Sequence, residues 1–165
     1  MPSMHPLVEE SMKKAAIAWL TVGEGQPYPI WCLWVDGALC LVSGADEQPT
    51  PGLDGADTAV VSARGDHGGR IVSWPAAVER VEPGSEQWTS VVPQLAGKRL
   101  NSAGAEELAA RWAASSTVWR LTPTGDPIEA GESLPDGSLA VPPRPTPAKT
   151  SANRPFRLHR VKGAR

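Results

Sequence analysis

The side chains able to do chemistry are few, and their spacing forms no acid–base constellation. Two cysteines, Cys32 and Cys40, and three histidines, His5, His67 and His159, show no spacing that resembles a zinc site. No P-loop, nucleophile elbow or G-x-G-x-x-G is present, and nothing places a serine beside a histidine, so hydrolysis has no positive support. Cations and aromatics remain. In Asp66-His67-Gly68-Gly69-Arg70, two glycines beside a His and an Arg could present backbone N–H groups to an anion, or form a plain hairpin loop. Lys98-Arg99, after Gly97, could cap a helix dipole or touch a phosphate. Seven Trp stand against one Tyr and one Phe, which suggests a strand-rich core or a flat aromatic site. Trp19, Trp88, Trp112 and Trp119 fall at packing positions, Trp74 before Pro75 marks a bend or a site edge, and Trp31 or Trp34 could line a ligand groove.

Strands have to position these groups, because 16 Gly and 17 Pro in 165 residues disfavour a helical bundle. Residues 29–35 meet residues 38–43 across Asp36-Gly37, the strongest short hairpin signal, since a type I′ turn needs two positive φ angles. A two-residue loop pairs Val35 with Ala38, Trp34 with Leu39 and Leu33 with Cys40. One face then carries Ile30, Cys32, Trp34, Leu39 and Leu41, and the other Trp31, Leu33, Val35, Ala38, Cys40 and Val42. Both are apolar, so one face lines a core and the other needs a cover: a helix, a cofactor or another subunit. Cys32 and Cys40 fall on opposite faces and should stay reduced.

Elsewhere the pattern predicts a helix over 6–14 with Lys13 and Lys14 at its basic end, and a run over 15–22 that fits helix or strand. A loop follows over 44–57, then strands over 58–64 and 70–81, the second bent or at an edge because of Pro75. Ser85 caps a helix from 86 to about 95, with Pro93 inside it. A second helix spans 105–114, and a last strand spans 117–121. Beyond 125 the pattern is lost, which predicts a body over 1–125 and a Pro-rich basic tail or arm over 126–165, polyproline-like at 142–147.

Charge divides the same way. Residues 15–63 hold acids but no Lys or Arg, whereas residues 142–165 hold seven basic residues and no acid. The formal net charge of -2 and pI near 5.9 exclude a uniformly basic nucleic-acid coat protein. No apolar run is long enough to span a membrane, the N-terminus lacks a signal core, and two cysteines imply no disulfide framework. A cytoplasmic protein is expected, with no membrane partner and no principal nucleic-acid role.

The order of these elements resembles the FMN-binding split β-barrel family, the pyridoxamine 5′-phosphate oxidase-like proteins, and more narrowly its actinobacterial branch using FMN or the deazaflavin F420. The carrying stretches are residues 17–22, 25–27, 29–34, 37–44, 58–62 and 77–81, within about residues 7–125. The resemblance implies a mainly β fold, a six-stranded antiparallel split barrel with peripheral helices and the Pro-rich C-terminal arm. It also implies a homodimer with flavin between subunits, with residues 29–32 beside the isoalloxazine ring and residues 42–44 near the ribityl phosphate. One departure matters. Where the family places an Arg-Lys pair that clamps the phosphate, this chain has Glu47-Gln48-Pro49, with Asp46 adjacent. A phosphate there loses charge-assisted hydrogen bonds individually worth about 1.5–3 kcal/mol. Replacement cations would be Arg64 or Arg70, or Lys98 and Arg99 across a dimer.

Two readings follow. The first is an FMN- or F420-dependent oxidoreductase acting on a small molecule, with Trp31, Cys32, Ser43 and Gly44 as cofactor contacts and Arg64 and Arg70 as phosphate candidates. The cofactor would carry the hydride chemistry, and no side chain is singled out as catalytic. The second is a non-catalytic split-barrel binding protein that has lost the usual clamp and uses its groove for another ligand.

Overall fold

The computed structural model describes residues 4–100, 104–137 and 145–148. Helix α1 (Pro6–Lys14) starts at a favoured proline position, with the His5 ring accepting the Leu7 N–H and two lysines in its last turn. Seven strands build the body: β1 (Ile17–Thr21), β2 (Tyr28–Trp31), β3 (Leu33–Val35), β4 (Ala38–Gly44), β5 (Thr58–Arg64), β6 (Arg70–Val81) and β7 (Ser116–Pro123). Helices α2 (Glu86–Lys98) and α3 (Ala105–Ser115) connect β6 to β7, and a two-residue β8 (Glu129–Ala130) follows.

The sheet runs β2-β1-β5-β6-β7-β4-β3, antiparallel throughout, with β8 beside β6. Strands β2 and β3 stand at opposite ends of that order, yet only Cys32 separates them along the chain. The sheet therefore curls until its two edges meet, which makes it a split barrel. The run expected over 29–35 breaks at Cys32 because its partner changes there: Ile17 to Leu20 pair with β2, Ala38 to Cys40 pair with β3, and the Cys32 N–H donates to the Ala16 carbonyl at 3.1 Å. Counted as one strand, β2 and β3 give the six expected strands, with β8 as an addition. The ambiguous run over 15–22 is strand β1.

The Asp36-Gly37 turn has φ of 47° and 77°, and the register is Val35 with Ala38, Trp34 with Leu39, and Leu33 with Cys40. This is the type I′ hairpin expected. Its two faces enter two different cores. Ile30, Cys32, Leu39 and Leu41 join the barrel interior with Leu20, Val61, Trp74, Trp119 and Leu121, and α1 adds Val8 and Met12. Val35, Cys40 and Val42 face outward and are covered by Val91, Val92 and Leu95 of α2 with Leu108 and Trp112 of α3. The helices supply a cover for that face. Burying each such side chain contributes about 1.5–3 kcal/mol, which is what ties the helix pair to the barrel.

Helix α2 runs to Lys98, through Pro93. Pro93 is on the exposed side, where water can serve the carbonyl one turn back, while Val91, Val92, Leu95 and Ala96 are buried against the sheet. Burial of that face outweighs the missing bond. Strand β6 is central, not an edge. Pro75 sits where its outer partner changes from β8 to β7: Ser73 pairs with Glu129, Ala76 pairs with Pro123, and the Pro75 carbonyl accepts the Thr124 N–H at 3.0 Å. The absent N–H of Pro75 thus faces a gap in the ladder.

The compact unit runs Met1–Pro135, beyond the boundary expected at 125, because β8 pairs with β6 and the Ile128 N–H donates to the Ser73 carbonyl at 2.8 Å. The second unit, Asp136–Arg165, has a turn at 147–148. The seven basic residues of the tail and half of the polyproline segment, 142–144, lie outside the described residues.

Candidate functional site

The loop after β4 is where the cofactor clamp was expected, and its residues point inward. The Trp31 N–H donates to Gln48 Oε1 at 2.6 Å, while Gln48 Nε2 donates to the carbonyls of Trp31 at 2.7 Å and Val42 at 3.1 Å. A side-chain amide carries a donor and an acceptor like a peptide unit, so Gln48 acts as one residue of strand between β2 and β4. Glu47 is buried beside it, with 4% of its side chain exposed. Its Oε1 accepts the Trp112 indole N–H at 2.9 Å and lies 3.5 Å from Arg111 Nη2, and its Oε2 accepts Arg99 Nε at 3.2 Å. The loop is thereby bolted to both helices. A cavity of about 110 Å³ remains, lined by Trp31, Glu47, Gln48 and Arg99.

Trp31, Ser43 and Gly44 gather at this corner with Gln48. Trp31 is half-buried at the cavity. Ser43 turns into the barrel and accepts the Trp119 indole N–H at 2.8 Å. Gly44 lies against the start of β7, where a Cβ would meet Ser116 Oγ at 2.9 Å and the Ser115 carbonyl at 3.1 Å. Close backbone approach explains that glycine. The Cys32 side chain belongs to the interior core; burial pushes its thiol up to about 12, and that of Cys40 likewise to about 12. Both cysteines are free and held as inert thiols.

The two arginine candidates stand elsewhere. Arg64 and Arg70 are register partners on β5 and β6, but their side chains have different partners. Arg70 is 9% exposed and donates to Glu129 Oε2 at 3.1 Å and to the Pro135 carbonyl at 2.8 Å, so it holds the segment after β7. Arg64 lies 4.6 Å from the centre of the Trp19 ring, and the alternation of β1 puts Trp19 on the outer face of the sheet, partly buried, not in the packed core expected. Arg64 also lines a groove of about 520 Å³ with Lys14, Ile17, Asp66 and Ile71. Ile17 connects the two places, since it pairs with Trp31 on β2 and borders this groove. Asp66 to Gly69 form a tight exposed turn, the plainer of the two readings of that loop.

A phosphate-bearing cofactor does not fit the Glu47 corner. Arg99 and Arg111 both face a buried carboxylate, the Gln48 amide is committed to backbone groups, and a dianion would sit beside like charge. Sequence spacing missed Arg111 and the Trp112 indole as polar partners, because they come from α3, more than sixty positions away along the chain. Among the described residues no group of His, Cys, Asp and Glu could hold a metal ion, and no helix is long and apolar enough to cross a membrane.

No family model and no curated protein matches this chain. Solved structures do. The haem storage protein HutZ of Vibrio cholerae aligns at 17% identity with a TM-score of 0.53, over 78% of this chain and 94% of that one. A conserved hypothetical protein of Mycobacterium tuberculosis aligns at 17% identity and 0.53, over 74% and 82%. A candidate pyridoxamine 5′-phosphate oxidase of Listeria innocua aligns at 13% identity and 0.50, over 73% and 94%. The fold is the split β-barrel of the pyridoxamine 5′-phosphate oxidase-like proteins, as the sequence resemblance implied.

Proposed function

We propose that this chain is a split-barrel binding protein without redox turnover, whose ligand carries no phosphate at the Glu47 corner. One observation carries the reading: the buried Glu47 carboxylate stands where the barrel's flavin-binding relatives are expected to present cations, and Arg99 and Arg111 face it. The likeness to a haem storage protein is in keeping with a barrel that binds without turnover. The partly buried Trp31 and the 50% exposed Ile17, on neighbouring strands, supply an apolar edge suited to a homodimer. Free, buried thiols suit a reducing cytoplasm.

A second reading keeps the FMN- or F420-dependent oxidoreductase, and the Arg64 groove favours it. Its volume of about 520 Å³ falls in the range of small-molecule pockets, and Lys14 and Arg64 at its rim could replace the clamp. Titration of the full chain with FMN and then F420, followed by Trp fluorescence and difference absorbance, separates the two. The binding reading expects no saturable change at high micromolar cofactor, and light scattering of the same sample at the mass of a dimer. Saturable binding of either cofactor overturns it in favour of the oxidoreductase.

A further inference from the structure

We propose that Arg99, Arg111 and the Trp112 indole form an anion cradle that Glu47 fills as an internal ligand, so that the chain closes its own oxyanion site. Three donors from two helices converge on one carboxylate supplied by a loop. Trp112 Nε1 and Arg111 Nη2 approach Oε1 at 2.9 and 3.5 Å, and Arg99 Nε approaches Oε2 at 3.2 Å. The donors differ in kind from a surface ion pair. Trp112 is fully buried and its indole N–H points only where Glu47 sits, while the carboxylate itself is 4% exposed.

The site is also larger than its occupant. The adjoining cavity of about 110 Å³ exceeds the roughly 30 Å³ that one water takes in the liquid, and Arg99 borders it. With the Glu47 carboxylate gone, two guanidinium groups and a buried N–H would face a partly open space. A tetrahedral oxyanion matches those donors, since guanidinium and phosphate pair through charge-assisted hydrogen bonds. Trp31 and Gln48 wall the cavity on the other side, and the Gln48 bonds to backbone keep the wall in place without Glu47. The chemical class is therefore inorganic phosphate or a monophosphate group.

This inference deepens the binding-protein reading, since it supplies the reason the corner refuses a phosphate. The two can fail separately: cofactor titration of the wild-type chain tests that reading, and phosphate rescue of a variant tests this one. Thermal unfolding of wild type, Glu47→Ala and Glu47→Ala/Arg99→Ala is followed in chloride and in sodium phosphate at matched ionic strength. Glu47→Ala should melt below wild type in chloride and recover by about 4 °C in saturating phosphate, while the other two proteins stay unmoved. Quenching of Trp emission by phosphate in Glu47→Ala alone would accompany the recovery. Should Glu47→Ala not fold, Glu47→Ser, which also vacates the donors, carries the same comparison. A folded variant whose melting responds to phosphate no more than to chloride overturns the cradle and leaves Glu47 a structural strut.

Discussion

Two sides of the barrel handle positive charge in opposite ways. At the Glu47 corner the guanidinium groups of Arg99 and Arg111, 36% and 44% exposed, converge on a carboxylate that is 4% exposed. At the groove between α1 and the β5–β6 hairpin, Arg64 lies over an indole face and shares the rim with Lys14 and Asp66. Water screens the first two cations, so the desolvation of Glu47 is offset mainly by its hydrogen bonds, the Trp112 indole above all. The groove carries no comparable buried charge. The comparison teaches that cations near a fold's expected binding position are no guide to function until their partners are known. Arg99 reads as a helix cap or a phosphate contact in the sequence and serves as a tie between loop and helix in the structure.

The sharpest way to break this contrast is at Trp112. Trp112→Ala should destabilise the chain by about 3–5 kcal/mol in urea unfolding, because it empties the helix-covered core and strips Glu47 of its shortest donor. If Trp112→Phe, which keeps most of the packing, loses nothing, the bond to Glu47 is energetically idle. Gln48→Ala comes next. It leaves the N–H and carbonyl of Trp31 without their side-chain partner and should lose about 1–3 kcal/mol, with faster amide exchange at Trp31. A variant as stable as wild type would show that water replaces the amide. The smallest effect belongs to the open side: Arg64→Ala removes a rim cation stacked on an indole and should cost at most about 1 kcal/mol. A larger loss there would make Arg64 structural, like Arg70, and erase the contrast.

Much of the barrel was legible because its signals are local. Asp36-Gly37 sets a hairpin register by turn geometry alone, and that register assigns Cys32 and Cys40 to separate cores. Ser85 announces the start of α2 by accepting the Trp88 N–H at 3.0 Å. Other points depend on what lies across the fold. Pro93 argues for an early helix end, but the burial of Val91, Val92, Leu95 and Ala96 carries the helix onward. Pro75 argues for an edge, but a change of partner on one side of β6 accommodates it in the centre. Trp19 reads as core, and its outward position follows once the alternation of β1 is known: Ala18 and Leu20 are buried, Trp19 is not.

The site divides along the same line. Composition and spacing alone determine that this chain carries no zinc spacing, no nucleophile elbow and no P-loop. The resemblance to the split-barrel family implies the strand order and locates the departure at Glu47-Gln48-Pro49, since a missing basic pair is a matter of residue type. What the departure does was decided only by tertiary structure. Glu47 meets Arg99, Arg111 and Trp112 because α2 and α3 fold back over β4, more than fifty positions away along the chain. Whether an arginine faces a cofactor, a neighbouring indole or the protein's own carboxylate depends on direction and distance in space. A linear pattern holds residue types and periods, and the electrostatics of a buried corner arise only when the chain closes on itself.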